Sequence, residues 1–301
     1  MRGRLMLVGL VTVVTAGGLV GPVSAAPAPP RVVIGKGTTT CLLEAGANCR
    51  GVVHKWKLVF HGNLKGINFS RARLDGANLR GAILDAAKLR GVVLRRANLS
   101  GASLKSADLG PVAHRRSPRS TPACNPKCQG ADLAGADLSN AQLGLAILTN
   151  ANMNGANMTK ADLGEAKVGG ATMNGANLTR LTGERAYLDG VSLKQALMEG
   201  VSLPFASIRN ADLSGADLTS ADLTAAQLTS SKLVGANLSS VDFSDANLLY
   251  ADLTNANLTN AKFVDTNLTS AKLTGANLTG VTWSGVTCPD GSYTSGPPCP
   301  I

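Results

Sequence analysis

Residues 211–240 read ADLSG ADLTS ADLTA AQLTS SKLVG ANLSS, one five-residue phrase given six times. Leu recurs at every fifth position, and a small residue, mostly Ala, lies two positions before it. A period of five fits neither the 3.6-residue helix nor a continuous strand of period two. It fits a short extended segment with two inward side chains, followed by two residues that turn the chain. The phrase therefore predicts a coil of rungs that is stable only through stacking around a narrow Ala/Leu core.

The repeat Ala-(Asp/Asn)-Leu-(Ser/Thr)-(Gly/Ser/Asn) resembles that of the pentapeptide repeat family. The resemblance implies an all-β fold, a right-handed quadrilateral β-helix with four pentapeptides in each coil. The first array spans residues 64–109, with ten central residues from Leu64 to Leu109. The second spans residues 131–283, with 31 central residues from Leu133 to Trp283. At about 4.8 Å between rungs, these ten or so coils would extend about 50 Å.

The N-terminus has the pattern of a secretory signal peptide. Arg2 and Arg4 precede the apolar stretch Leu5–Val20, and Val23-Ser24-Ala25 ends in small residues suited to cleavage. The alternative, an uncleaved anchor, would need about 20 apolar residues, more than this Gly-interrupted stretch supplies. We therefore assign residues 1–25 to a signal peptide and 26–40 to a Pro-rich leader. The protein is expected to be secreted or extracytoplasmic, with no later membrane-spanning segment.

The two ends of the coil need lids, because an open end exposes core side chains and unpaired backbone groups. Residues 41–63, which contain Trp56 and Phe60, are assigned to an N-terminal cap, and residues 284–301 to a C-terminal cap. Six cysteines in an exported chain indicate disulfides. Since the ends are far apart, we expect the local pairs Cys41–Cys49, Cys288–Cys299 and Cys124–Cys128. Zinc bound by Cys124, Cys128 and His114 is the alternative for the third group, although a fourth ligand is missing.

Residues 110–130 interrupt the repeat and form a predicted basic loop. Residues 26–130 carry 18 Lys and Arg against four Asp and Glu, whereas residues 131–301 carry nine against 15. Lys65 and Lys105 share a column with Asp85, so the cations of the first array form no clean stripe. The loop therefore supplies the candidate partner-binding residues. They are His114, Arg115, Arg116, Arg119 and Lys127.

No catalytic, cofactor or metal site is predicted. The sequence shows no nucleophile–base arrangement, zinc-protease helix or phosphate-binding Gly loop. Asp before Leu recurs because of the repeat itself, so paired carboxylates are expected without catalysis. We interpret the chain as a monomeric binding or structural module without enzymatic activity, whose partner is an unknown protein or an anionic polymer. No small-molecule substrate is expected.

Two alternatives remain. The family resemblance implies that the chain could bind a topoisomerase as a DNA mimic, although the basic N-terminal half and the export signal differ from such a mimic. A second alternative is a flat Asn/Thr face that binds a repetitive surface, polysaccharide or ice. Its outward pairs would be Asp137/Ser139, Asn157/Thr159, Asn177/Thr179, Asp217/Thr219, Asn237/Ser239, Asn257/Thr259 and Asn277/Thr279, interrupted by Leu197/Glu199. Ladders of this kind also stabilise stacked rungs without binding anything.

One unit departs from the pattern. Its centre is Gly183 where Leu is usual, and Leu181 stands where Ala is usual. This exchange predicts a bulge or a local distortion at residues 182–185.

Overall fold

The computed structural model describes residues 32–36, 39–53, 60–110, 128–296 and 298–299. The predicted signal peptide, most of the leader, Trp56 and the predicted partner-binding residues of the loop lie outside these ranges. All the regular elements in the described part are β-strands. No helix there is long and apolar enough to cross a membrane.

A register of twenty residues builds the fold. Asp217 forms a parallel bridge with Asn237, which forms the next one with Asn257. The backbone N–H of Leu218 donates to the Asn237 carbonyl at 2.8 Å, and the N–H of Asn237 donates to the Ala216 carbonyl at 2.9 Å. Because twenty residues are four pentapeptides, every unit lies on the corresponding unit of the next coil. The chain is therefore a β-helix solenoid.

The two inward positions form the core. Ala216 and Leu218 are both 0% exposed, and the same holds for most other units. The predicted core is thus confirmed. Leu278 is only half-buried, because it lies in the last coil and no described unit covers it.

The turns require left-handed backbone at every fifth residue. Gly135 has a φ of 61°, and the non-glycine residues Asn140 and Ala225 both have a φ of 56°. Gly adopts this region freely, and Asn tolerates it better than most residues. Their abundance at the turn positions follows from this geometry.

The coil continues across the loop. Asn98 bridges Asp132 and Ser103 bridges Asp137, a separation of 34 residues in place of 20, so the insertion adds 14 residues to one coil. Cys128 occupies the inward central position of its unit and is 1% exposed. Its N–H donates to the Ile147 carbonyl at 2.8 Å, as a central Leu would. The second array therefore begins one unit earlier than residue 131.

The distortion predicted at residues 182–185 is absent, and that prediction was wrong. Thr182 bridges both Asp162 and Ser202 at the usual spacing. The Gly183 N–H donates to the Ser202 carbonyl at 2.8 Å. In this unit the first inward position, usually Ala, holds the larger Leu181, and the central position, usually Leu, holds the smaller Gly183. The total inward volume is therefore preserved, and the backbone conformation does not change.

Short strands and disulfides lie at both ends. At the N-terminus, β1 (Val33–Lys36) pairs antiparallel with β2 (Thr39–Leu42). At the C-terminus, β3 (Lys262–Val264) pairs parallel with β4 (Thr282–Ser284), and β5 (Val286–Thr287) pairs antiparallel with β6 (Tyr293–Thr294).

The predicted disulfides Cys41–Cys49 and Cys288–Cys299 are both present. The coil register already includes the bridges from Asn48 to Asn68 and from Val53 to Arg73, within the segment assigned to the cap. The first coil thus begins inside residues 41–63.

Candidate partner-binding site

The Asn/Thr face uses its polar groups internally. Oδ1 of Asp217 accepts from the Thr219 N–H at 3.1 Å and from the Thr219 hydroxyl at 2.6 Å. The Asn237 amide donates to Asp217 Oδ1 at 3.1 Å and to the Thr219 hydroxyl at 2.8 Å. Asn257 donates to Asn237 Oδ1 at 3.1 Å in turn. Since these groups already bond one another, the geometry favours a stabilising ladder over a binding lattice.

Four carboxyl groups of the second array, those of Asp137, Asp212, Asp242 and Asp252, have lowered pKa values. The Thr254 hydroxyl donates to Asp252 and lowers the pKa of that carboxyl; partial burial opposes this, and the Thr254 N–H and Lys272 reinforce it. At Asp212, partial burial raises the pKa, but hydrogen bonds from Ser214 and from Lys194 outweigh it and the net shift is downward. Asp212 and Asp252 thus serve as hydrogen-bond acceptors and as ion-pair partners of Lys194 and Lys272 within the stack.

Histidines and metal ligands form no cluster in the described part of the chain. Nδ1 of His61 lies in hydrogen-bonding contact with the Arg80 carbonyl oxygen. Within the described ranges, no group of three or more His, Cys, Asp or Glu side chains could hold a metal ion. His54 and His114 lie outside those ranges.

Cys128 is a free cysteine, so the predicted Cys124–Cys128 disulfide is not formed. The physical reason is its inward position, which encloses the thiol in the core. Burial raises the pKa of the Cys128 thiol to about 12. Such a thiol is inert towards oxidation and a poor zinc ligand at neutral pH. Cys124 lies outside the described residues.

The loop leaves and rejoins the coil on one wall, where a wall means a set of outward residues stacked at the coil spacing. Gly110 precedes the loop and Cys128 follows it, so the loop replaces the unit between outward Val93 and outward Ile147. We call this side the loop wall. Its described outward residues, in order, are Val53, Arg73, Val93, Ile147, Lys167, Tyr187, Ser207, Gln227, Asn247, Asn267 and Thr287.

Arginines concentrate on the loop wall and on the turns at its two edges. Between residues 64 and 110, five of the six arginines lie there, whereas all three lysines of that range lie elsewhere. The five are Arg71, Arg73, Arg90, Arg95 and Arg96, all exposed.

Only one carboxylate lies among these five arginines on the described loop wall. Asp75 is shared, with Arg73 Nε 3.7 Å from one oxygen and Arg95 Nε 3.9 Å from the other. Arg90 pairs with Asp108 on the neighbouring wall. Exposed ion pairs of this kind are weak and leave guanidinium donors available. Between residues 64 and 110, the wall and its edges therefore keep an excess of positive charge.

An open groove of about 770 Å³ lies at one edge of this wall. Asp75, Arg95, Arg96, Gln129 and Asn150 contribute to its lining. The groove thus combines two guanidinium groups and two amides, which can donate to carboxylate or other oxyanions, with one carboxylate that already lies 3.9 Å from Arg95 Nε.

Sequence reasoning missed this cluster because it compared single columns twenty residues apart. The arginines occupy several neighbouring columns of one side, all of them before the insertion. Comparing neighbouring columns of the coil together would have revealed the cluster.

The family model for pentapeptide repeats matches in eight copies, over residues 61–91, 84–110, 127–164, 156–182, 186–224, 221–260 and 251–282. The chain belongs to the pentapeptide repeat family. No curated protein sequence matches it.

Solved structures of pentapeptide repeat proteins resemble the chain. One is HetL, involved in heterocyst differentiation regulation in the cyanobacterium Nostoc sp. strain PCC 7120, with 33% identity, a TM-score of 0.30 and coverage of 78% of this chain and 92% of HetL. Another is a trypsin-treated form of QnrB1, a plasmid-mediated fluoroquinolone resistance protein, with 18% identity, a TM-score of 0.38 and coverage of 69% and 89%. A pentapeptide repeat protein from the Arabidopsis thaliana thylakoid lumen shows 30% identity, a TM-score of 0.18 and coverage of 41% and 69%.

Proposed function

We propose that this pentapeptide repeat protein is an exported, monomeric, non-catalytic module that binds an anionic partner through the loop wall and the basic loop. In this proposal the solenoid is a right-handed quadrilateral β-helix that serves as a scaffold. Family membership supports the non-catalytic part, because pentapeptide repeat proteins are generally structural or binding modules. Export is supported by the signal-like N-terminus and by two disulfides, which persist in oxidising compartments.

The observation that carries the proposal is the arginine excess at the base of the loop. Between residues 64 and 110, five exposed arginines share this wall and its edges with a single carboxylate, Asp75. Beyond the loop, the same edges also carry Glu165, Glu184 and Asp189. Arg presents a planar fork of donors that matches carboxylate and phosphate oxygens, whereas Lys offers a point charge. The loop that replaces a unit of this wall adds Arg115, Arg116 and Arg119, flanked by His114 and Lys127. The arginines of the loop wall and the cations of the basic loop would bind the same partner.

Neither alternative function gains a specific observation from the described residues. An acidic DNA-like surface is not what the loop wall presents. The Asn/Thr face has its amides and hydroxyls bonded within the stack.

Salt-dependent binding tests the proposal. Immobilised protein comprising residues 26–301 would be exposed to poly-L-glutamate, polygalacturonate and polyphosphate at 50 and 200 mM salt. We expect affinity to fall at least tenfold at the higher salt, because exposed charges are screened. We expect it to fall at least tenfold again in Arg95→Ala/Arg96→Ala and in Arg115→Ala/Arg116→Ala/Arg119→Ala.

Lys65→Ala/Lys160→Ala is the matched control, because it removes two exposed cations from other parts of the coil. Equal losses in all three variants would mean that only net charge matters, which contradicts a localised site. Export is tested separately by cell fractionation with and without residues 1–25. Retention of both forms in the cytoplasm would contradict it.

A further inference from the structure

The loop wall lacks the residues that stabilise the other walls. On each of the other three walls, Asp or Asn holds half or more of the described outward positions. On the loop wall, none of the described outward positions before Asn247 carries Asp or Asn. An outward Asp or Asn side chain bonds the backbone N–H two residues on, as Asp217 does with Thr219. The outward positions of the loop wall forgo these bonds over a contiguous set of rungs. At one rung the turn residue Asp189 replaces them, because it accepts from the Arg209 N–H at 2.9 Å and from the Ser207 hydroxyl at 2.6 Å.

Exposed aromatic side chains occur on this part of the loop wall and on the turn beside it. Tyr187 is 52% exposed, and Phe205, at the turn beside it, is 54% exposed. The Arg185 guanidinium lies 5.4 Å from the centre of the Phe205 ring, a cation–π contact at the surface. Phe205 has a φ of 59°, a conformation in which a large side chain is unfavourable. An exposed aromatic ring in a strained turn is unexplained by folding alone.

Arginines, aliphatic side chains and aromatic rings therefore share one surface. Arg73 bridges Val93, the loop follows, and Ile147, Lys167 and Tyr187 continue in adjacent rungs. From Arg73 to Ser207 the wall spans six rung spacings, about 30 Å, which matches about nine residues of extended chain.

We propose that the loop wall, from Arg73 to Phe205, is the docking surface for an acidic segment of another protein that also carries apolar side chains. This inference rests on the proposed function and names the partner class of the same surface. Aromatic residues and Arg are the residue types enriched where proteins bind proteins. The arginine excess before the loop is complementary to carboxylates, whereas the end with Tyr187 and Phe205 also carries Glu165, Glu184 and Asp189 and would receive the apolar side chains of the segment. An anionic polysaccharide would satisfy the arginines and leave Val93, Ile147 and Tyr187 without apolar partners. The basic loop itself is not the occupant, because its arginines would meet like charge.

Defined copolymers test this inference. Protein comprising residues 26–301 would be titrated with poly-L-glutamate, with a random Glu/Tyr copolymer of equal length and with polygalacturonate. We expect the Glu/Tyr copolymer to bind at least tenfold more tightly than poly-L-glutamate, although it carries less charge. Tyr187→Asn/Phe205→Asn should remove that tenfold advantage while leaving the thermal midpoint equal or higher, because Asn suits both positions. Leu197→Asn, at an exposed aliphatic side chain on another wall, is the matched control and should keep the advantage.

Three outcomes would overturn the docking surface, the protein partner or the proposed function, and they can be told apart. Copolymer binding that is unchanged in Tyr187→Asn/Phe205→Asn would overturn the docking surface. Equal binding of poly-L-glutamate, polygalacturonate and the copolymer would overturn the protein partner while leaving the anionic partner in place. Absence of salt-dependent binding by every probe would overturn the proposed function and this inference together.

Discussion

A Cβ atom on Gly183 would lie 2.7 Å from Cδ2 of Leu203 in the next coil. Leu203 thus occupies space that a central Leu would fill in an ordinary unit. The other inward position of the same unit holds Leu181, which is 0% exposed. The two inward positions have exchanged sizes, and the local packing volume is conserved.

This exchange predicts strong coupling between two substitutions. Gly183→Leu alone should overpack the core and lower the free energy of unfolding by about 1–3 kcal/mol. Leu181→Ala alone should lower it by about 2–5 kcal/mol, because the substitution leaves a cavity. Together the two substitutions restore the usual unit. The loss of unfolding free energy in the double variant should therefore be smaller than the sum of the two single losses by about 1–3 kcal/mol. Urea unfolding of the four proteins measures the coupling. Additive effects would show that the size exchange is not the reason for the regular backbone.

The turn geometry predicts opposite effects of glycine at two adjacent alanines. Ala225 has a φ of 56°, whereas Ala226 is inward and 0% exposed. Ala225→Gly should stabilise the protein by about 0.5–1 kcal/mol, because relief of left-handed strain exceeds the entropy that Gly adds to the unfolded chain. Ala226→Gly, the control, should destabilise it by about 1 kcal/mol or more through lost burial and added chain entropy. Thermal unfolding compares them, and destabilisation by both substitutions would contradict the assigned turn conformation.

The ladder on the Asn/Thr face predicts a stability effect at its interior. Asn237 donates to Asp217 and to Thr219, and it accepts from the Asn257 amide. Asn237→Ala removes these three hydrogen bonds, although Asp217 and Thr219 keep their bonds to each other, and should cost about 1–2 kcal/mol. Asn277→Ala, at the exposed last rung of this ladder, is the control and should cost less. Chemical denaturation is the measurement, and a neutral Asn237→Ala would weaken the stabilising interpretation of this face.

Acid should weaken the stack. The pKa values of Asp137, Asp212, Asp242 and Asp252 are lowered in the folded protein. For a lowered folded pKa, the stabilisation is complete above the unfolded value of about 4 and is lost as the pH falls through the folded value. The free energy of unfolding should therefore decrease below about pH 4.

The variant Asp212→Asn/Asp242→Asn/Asp252→Asn should flatten this decrease, because Asn keeps the acceptor oxygen and does not titrate. Urea unfolding between pH 2.5 and 6 measures both slopes. Asp290→Asn is the comparison and should flatten the decrease less, because the Ser292 hydroxyl and N–H also lower the pKa of Asp290 but that carboxylate is a single group, fully exposed to solvent. An identical slope in the triple variant and the parent would assign the acid sensitivity to other groups.

Much of the fold could be predicted because the repeat pattern determines the local backbone geometry. Only a coil with two inward side chains in each unit explains the period of five, the small residue two positions before Leu and the turn residues. The burial of Ala216 and Leu218 agrees with this prediction. Cys41–Cys49 and Cys288–Cys299 followed from separation along the coil.

The missed features depend on contacts between coils. Cys128 could not be recognised as a core residue from its neighbours in sequence, because its unit begins with Pro126 and Lys127 and lacks the usual small residue. Gly183 was predicted to distort the chain because Leu203 lies a full coil away. The arginine cluster lies in several neighbouring columns of adjacent coils, which a comparison of single columns does not bring together.

Hydroxyl-radical footprinting of the protein with and without the Glu/Tyr copolymer would show whether the loop wall is the contact surface of this solenoid. We expect bound copolymer to protect Tyr187, Phe205 and Ile147, while Leu197 and Tyr293, exposed elsewhere on the coil, keep their labelling rates. Protection of Leu197 equal to that of Tyr187, or no protection of Tyr187 at saturating copolymer, would contradict this expectation.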